Sequence, residues 1–222
     1  MGNKKYVVKQ IEDKLNAGFR CLKLKIGSLK FDQEIEIIRS VRELFSAEEL
    51  EIRVDANGAF TIEESLQKLF KLAELQVHSI EQPIMPGQID EMARICEVSP
   101  IPVALDEELI GIKSENKFRL LDIIRPAFII LKPSLLGGFK PSEEWIEKAE
   151  ELNIQWWITS ALESNIGLNA IAQWAYSLNV TKPQGLGTGL LYRNNITSPL
   201  QVKGDVLYYN QYTNWNDDII NR

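Results

Sequence analysis

Glu51-Ile-Arg-Val-Asp55 is a short apolar run that ends on an acid, and the runs that follow it decide the fold. Ser79-Ile-Glu81 ends on an acid 26 residues later, and Val103-Ala-Leu-Asp106 does so after a further 25. Phe128-Ile-Ile-Leu131 then leads into Lys132 after 26 more. Each run has the length and apolar content of a buried strand, and the segments between them carry helical periodicity. Thr61-Ile-Glu-Glu64 reads as a capping box that opens a helix ending near Leu75. Further helices are expected at about 90–98, 114–121 and 142–152. Upstream, Val7, Val8, Ile11 and Leu15 recur at helical spacing over 4–17, with Gly18 to end that helix. Cys21-Leu-Lys-Leu-Lys-Ile26 alternates with period two and stops at Gly27, and helical spacing returns over 31–45. Downstream come a strand over 154–159, a helix over 164–178 and a weaker seventh strand at 183–187.

Strands alternating with helices, with no linker or low-complexity tract, imply a parallel sheet in one domain. The polar residues choose between an open sheet and a barrel. One ionisable residue at the same end of each successive strand would fan out along an open edge, but converges on one point in a barrel. The expectation is therefore an α/β protein with a (β/α) barrel over 1–199. The first element is a helix where such a barrel starts with a strand, so the first strand is expected to be absent. An apolar tail over 200–222, with Val206, Leu207, Tyr208, Tyr209, Tyr212 and Trp215, is expected to pack on a separate capping domain.

Composition excludes several classes. The 222 residues are 45% hydrophobic and 25% charged, which fits a packed globular chain rather than a disordered one. Five apolar residues, Ala127–Leu131, make too short a run for a bilayer span of about 20. A net charge of −6 opposes a nucleic-acid or anionic-membrane surface. Met1-Gly2 is no myristoylation site, because Tyr6 stands where a Ser or Thr is required. Cys21 and Cys96 form neither a disulfide framework nor a zinc pattern, which suits buried thiols in the cytoplasm. His78, the single histidine, reads as a loop or surface residue, and Trp156 and Trp157 read as packing.

A lone acid at a strand end usually caps a helix or meets solvent. Asp55, Glu81 and Asp106 at a near-constant interval instead suit a hard divalent cation, Mg²⁺ best and Mn²⁺ as the alternative. Glu107 and Glu108 add negative field, and Arg53 is expected to lie inward as a deeper partner of the acids. Lys23 and Lys25 alternate with Leu22, Leu24 and Ile26, so the lysines face inward while the apolar residues meet the helices. Two ammonium groups so close are expected to depress each other's pKa, as a general base requires. Lys132 approaches from the other side. Lysines flanking a cation suit proton abstraction α to a carboxylate.

Lys23-Leu-Lys25, Val54-Asp-Ala-Asn-Gly58, Ile80-Glu-Gln-Pro83, Leu105-Asp-Glu107 and Leu131-Lys-Pro133, in this order, resemble the barrel domain of the enolase superfamily, muconate-lactonising subgroup. The resemblance implies Mg²⁺ ligands at Asp55, Glu81 and Asp106, and Lys25 and Lys132 on opposite faces of a small carboxylate substrate. It implies that Lys23 tunes Lys25 or touches the substrate, and that Asn57 positions groups around Asp55. Within the superfamily, Ile158-Thr-Ser-Ala-Leu-Glu-Ser164 and Gly185-Leu-Gly-Thr-Gly189 resemble o-succinylbenzoate synthases. That places Thr159, Ser160, Gly187 and Thr188 at the substrate. The Asp-x-Asp pair that dipeptide epimerases carry after the last strand is missing.

The implied activity is loss of water from a cyclohexadiene carboxylate in menaquinone biosynthesis. A racemase or cycloisomerase on the same scaffold is the alternative, and a fragment that binds metal without turnover is another. A chain without its first strand and cap is expected to turn over poorly and to associate with further copies through exposed sheet edges.

Overall fold

The computed structural model describes residues 4–187 and 191–216. Eight helices and eight strands are laid out along the described residues. Helix α1 (Lys4–Asn16) precedes β1 (Cys21–Lys25), α2 (Phe31–Arg42), β2 (Glu51–Asp55), α3 (Ile62–Glu74) and β3 (Ser79–Glu81). Then come α4 (Ile89–Val98), β4 (Val103–Leu105), a 3₁₀ turn (Glu107–Leu109), α5 (Ser114–Ile124) and β5 (Phe128–Leu131). After these follow α6 (Pro133–Leu136), α7 (Phe139–Glu151), β6 (Gln155–Ile158) and α8 (Asn165–Ser177). The hairpin β7 (Leu200–Lys203) and β8 (Val206–Tyr209) is separate from the main sheet.

Strands β1 to β6 form one parallel sheet in sequence order, as right-handed βα repeats dictate. Most strands are only three to five residues long, yet they are buried on both faces. One face packs on the helices in a large cluster that includes Ile38, Ile52, Ile80, Leu105, Ile129 and Ile158. The other face carries a small core of Ala104, Phe128, Ile130 and Trp157. Two packed faces are what an α/β sheet needs, and they explain why these strands read as continuous apolar runs.

Among the described residues the sheet is an open arc and does not close. The expected seventh strand is one parallel bridge, Thr159 to Gly185. Pro183 lacks an N–H for a ladder, and the bridge is held by Gly185 N–H donating to the Ile158 carbonyl at 2.8 Å. A Cβ on Gly185 would meet Thr159 side-chain atoms within 2.9 Å, so only glycine lets the two backbones approach there. At the other edge, a cavity of about 480 Å³ opens between α1 and β1, lined by Val7, Ile11, Leu24 and Ile38 among others.

One sequence expectation needs correction here. Arg53 does not join the strand-end acids. It donates to Glu51 at 2.6 Å and to the Pro183 carbonyl at 3.3 Å, and lies 4.2 Å over the Trp157 ring. Glu51 opens the same strand, so the guanidinium is held at the floor of the arc, below the acids. The described part of the tail is a hairpin turning on Gly204-Asp205, with Val206, Tyr208, Tyr209 and Tyr212 exposed.

His78 sits at the same floor, half-buried, with Nδ1 2.9 Å from Ser79 Oγ and its ring 5.4 Å from Phe128. Burial, with help from Arg53 and Lys182, lowers its pKa below 6.5 against the pull of Glu51. A depressed histidine favours the fold while neutral, and that contribution is lost as pH falls below 6.5. As the single histidine in the chain, it should give one NMR titration with a midpoint below the ordinary value. A midpoint at or above about 6.5 would contradict this floor arrangement.

Candidate active site

Register assembles the site. Lys25 pairs with Asp55, and Asp55 with Glu81, so three charged residues lie side by side at the C-terminal ends of β1, β2 and β3. In-register neighbours on parallel strands are about 4.8 Å apart with side chains on one face. Glu81 pairs with Ala104, which places Asp106 two residues further along the next strand end. Lys132 follows β5 directly and caps the short helix α6, whose first residue is Pro133. Asp55, Glu81 and Asp106 are all fully buried.

Three ammonium groups hold these acids. Lys23 Nζ donates to both oxygens of Glu81, at 2.9 and 2.8 Å, and stands 3.0 Å from Asp55 Oδ2. Lys25 Nζ donates to the same Asp55 oxygen at 2.9 Å and to Asn57 Oδ1 at 2.5 Å. From the far side, Lys132 donates to Asp106 Oδ2 and lies 3.9 Å from Glu81 Oε1. The lysine side chains stay reachable from solvent, 33%, 47% and 15% exposed for Lys23, Lys25 and Lys132. The two β1 lysines therefore line the mouth of an open arc rather than an enclosed core.

The electrostatics depart from expectation at Lys23. Burial works to lower its pKa, but Glu81 and Asp55 outweigh burial and hold it above the ordinary lysine value. Its nearest charges are carboxylates, and these outweigh the neighbouring ammonium. Burial likewise opposes the ionised form of Asp55, yet Lys23 and Lys25 keep its pKa below the usual carboxylate value. Glu81 goes the other way. Burial, then repulsion from Asp55 and Asp106, push it up to about 8 in spite of Lys23.

Asn57, in the left-handed region at φ 43°, links the two sides of the site. Its backbone N–H donates to Asp55 Oδ1 at 3.0 Å, and its amide donates to Glu107 Oε1 at 2.8 Å. Next to it, Gly58 (φ 74°) lies against Met85, where a Cβ would come within 3.0 Å of backbone. Thr159 and Ser160 are buried just past the end of β6, on the same rim, and Gly187 is exposed on the following loop. Thr188 lies outside the described residues. Sequence reasoning overlooked Glu34, whose buried carboxylate accepts from Gly27, Ser28 and Leu29 N–H at 3.0–3.1 Å and locks the loop after Lys25. A Cβ on Gly27 would fall 2.4 Å from the Ala59 Cβ, so that loop is fitted against the one bearing Asn57.

Among the described residues, no three His, Cys, Asp or Glu side chains stand as a ready metal-holding group, and lysine ammonium groups contact the acid oxygens. The donor set nonetheless fits a hard divalent cation. It supplies three buried carboxylates on adjacent strand ends, all oxygen donors. Beside them, Glu107 Oε2 is buried without a hydrogen-bond partner.

Comparison with known proteins gives the class first. Residues 6–210 match the enolase C-terminal domain-like family, and the chain belongs to it. Within that class it is 55% identical over 207 residues to an o-succinylbenzoate synthase from Desulfotalea psychrophila, covering 93% of this chain and 56% of that protein. The crystal structure of MenC from the same organism superimposes with a TM-score of 0.87 at 55% identity, over 93% of this chain and 57% of that one. An N-succinylamino acid racemase from Thermus thermophilus is 30% identical over 82% of this chain and 47% of its own length. Muconate lactonizing enzyme from Pseudomonas putida shares the fold, with a TM-score of 0.81 at 22% identity over 93% of this chain and 57% of that one. The chain thus spans about half the length of the curated relatives it matches. Among the described residues no helix is long and apolar enough to cross a membrane.

The raised Glu81 pKa has a testable sign. A carboxyl whose folded pKa exceeds its unfolded value of 4.5 favours the fold below that value. This contribution drains away as pH rises through about 8. With chelator present, Glu81→Gln should therefore gain Tm relative to the unaltered chain between about pH 5 and pH 9, by roughly several degrees. A difference that stays constant or shrinks over this range would show that Glu81 is not strained by its neighbours.

Proposed function

We propose that the protein is an o-succinylbenzoate synthase. The reaction is the Mg²⁺-dependent loss of water from 2-succinyl-6-hydroxy-2,4-cyclohexadiene-1-carboxylate, a step of menaquinone biosynthesis. The observation that carries this reading is the placement of Lys23 and Lys25 on one side of the three strand-end acids and Lys132 on the other. The 55% identity to a protein of that name supports the choice of substrate. Asp55, Glu81 and Asp106 would hold Mg²⁺, with Mn²⁺ as an alternative. When bound, the ion supplies positive charge that acidifies the substrate's α proton and disfavours the ammonium form of the adjacent lysines.

The chain's own groups do the rest. Lys25 Nζ, as the free amine, takes the proton from the carbon α to the carboxylate. The C–H electron pair moves into the ring, the C–O bond to the leaving hydroxyl breaks, and the same Nζ returns its proton to give water. Lys132 holds an ammonium on the opposite face and steadies the developing negative charge. Lys23 keeps Glu81 in place and adds positive charge on the side of the base. Thr159, Ser160 and the glycine-rich loop at Gly187 and Thr188 would receive the succinyl end. The arc's mouth leaves Lys25 half-exposed, so water is poorly excluded and turnover by residues 1–222 alone should be low.

A racemase acting through the two opposed lysines is the second reading, favoured by the same geometry and by the Thermus thermophilus relative. Deuterated solvent separates the two. The synthase reading expects o-succinylbenzoate to form with net loss of water. It expects Lys25→Ala to lose several orders of magnitude in rate, and Lys132→Ala about 10²–10³. Solvent exchange into an N-succinylamino acid without dehydration of the diene would favour the racemase. Near-normal dehydration by Lys25→Ala, or neither reaction in the protein as its gene encodes it, would overturn the synthase reading.

A further inference from the structure

We propose that Gln82 is a positioning residue for the strand-end acids, setting the backbone of Asp106 through a side-chain amide that is fully engaged. This rests on the metal-site reading above for its consequence, though not for its geometry. Gln82 is completely buried and follows Glu81 directly. Its Oε1 accepts from the N–H groups of both Asp106 and Glu108, each at 3.2 Å. Its Nε2 donates to the Ile84 carbonyl and to Glu108 Oε2, each at 3.1 Å. Both donor hydrogens and both acceptor lone pairs are therefore used, and only an amide can supply that combination.

The main chain of Gln82 ties a second loop. Its carbonyl accepts from Gly58 N–H at 2.7 Å, in the turn that carries Asn57, and its N–H donates to the Ala104 carbonyl at 2.9 Å. One residue thus joins the segments that follow β2, β3 and β4, directly beyond Asp55 and Glu81 and including Asp106. It does so at φ 40°, a left-handed conformation that glutamine adopts at a cost. Such strain persists where surrounding contacts over-determine it, and it gathers at functional sites. Asp106 itself departs from helix and strand geometry, at φ −125° and ψ −83°, and its N–H is held by Gln82. Glu108 completes the arrangement, since its other oxygen accepts from Gly87 N–H at 2.8 Å and anchors the loop before α4.

The consequence is separable from folding. Removing the amide frees the Asp106 and Glu108 N–H groups and lets the Asp106 carboxylate wander relative to Asp55 and Glu81. Losing a partner that orients a metal ligand typically costs about 10- to 100-fold in metal affinity. Titration calorimetry with Mg²⁺ and amide hydrogen exchange on the unaltered chain, Gln82→Leu, Gln82→Glu and the exchange pair Gln82→Glu with Glu108→Gln test this. Gln82→Leu should lose protection at the Asp106 and Glu108 amides while β5 and β6 keep theirs, and should bind Mg²⁺ at least about ten-fold more weakly. Gln82→Glu sets two carboxylates against each other and should weaken binding similarly. The pair reverses donor and acceptor, restores every bond except that to the Ile84 carbonyl, and should recover most of the affinity.

A purely structural role would lower Tm and loosen β5 and β6 as much as the Asp106 and Glu108 amides, with no selective loss of Mg²⁺ affinity. Unchanged Mg²⁺ affinity and amide protection in Gln82→Leu would overturn the proposal. Should Gln82→Leu fail to fold, the exchange pair decides, and no recovery over Gln82→Glu overturns it. If the unaltered chain binds no Mg²⁺, the metal reading falls, and amide protection alone decides whether Gln82 positions Asp106.

Discussion

Three carboxylates buried together at the C-terminal ends of adjacent strands are the constraint on which the rest depends. Placing ionised groups side by side out of water costs several kcal/mol each unless positive charge compensates. The protein supplies that charge from β1 and from the residue after β5, which are the near and far sides of the arc. Asp55 and Glu81 pull in opposite directions because their surroundings do. Asp55 has two ammonium partners on one oxygen. Glu81 shares Lys23, stands between two other acids, and cannot ionise as easily. A site with such a gradient of proton affinity is short of positive charge at its centre.

The fold serves this arrangement at little expense in sequence. Strands of three to five residues suffice because the helices cover one face and a small aromatic core covers the other. Arg53, stacked on Trp157 and paired with Glu51, closes the floor, so that charge at the bottom is balanced separately from charge at the rim. The rim is then made from loops rather than strands. Glu34 fastens the loop after Lys25, and Gln82 fastens those around Asn57 and Asp106. These fastenings matter because Asp106 lies beyond its strand and would move away from Asp55 and Glu81 under mutual repulsion if its loop were loose.

Much of this was legible in the sequence, for identifiable reasons. The bounds of β2, β3 and β5 follow from apolar runs that end on a charged residue, and Thr61 and Glu64 form the capping box that their spacing announces. The acids and lysines stood out because a constant interval is hard to produce by chance. Arg53 was given the right face and depth but the wrong partner, because alternation on a strand does not say which acid it meets, and Glu51 two residues away captured it. Helix α6 escaped notice because four residues carry no periodicity, although Pro133 at its first position is a start signal. The hairpin over β7 and β8 was signalled by Gly204-Asp205 between alternating residues, and was hidden by the apolar content of the tail. The role of Gln82 could not be read at all, since a side chain that bonds across 24 and 26 residues leaves no local pattern.

In the proposed reading, Asp55, Glu81 and Asp106 form one cation site flanked by opposed lysines. The anomalous scattering of Mn²⁺ in crystals of the protein tests it most directly. The account predicts a single strong peak bonded by one carboxylate from each of the three strand ends, with Lys23 no longer holding both oxygens of Glu81. A peak elsewhere, or full occupancy by Mn²⁺ in Asp106→Asn at the same position, would contradict it.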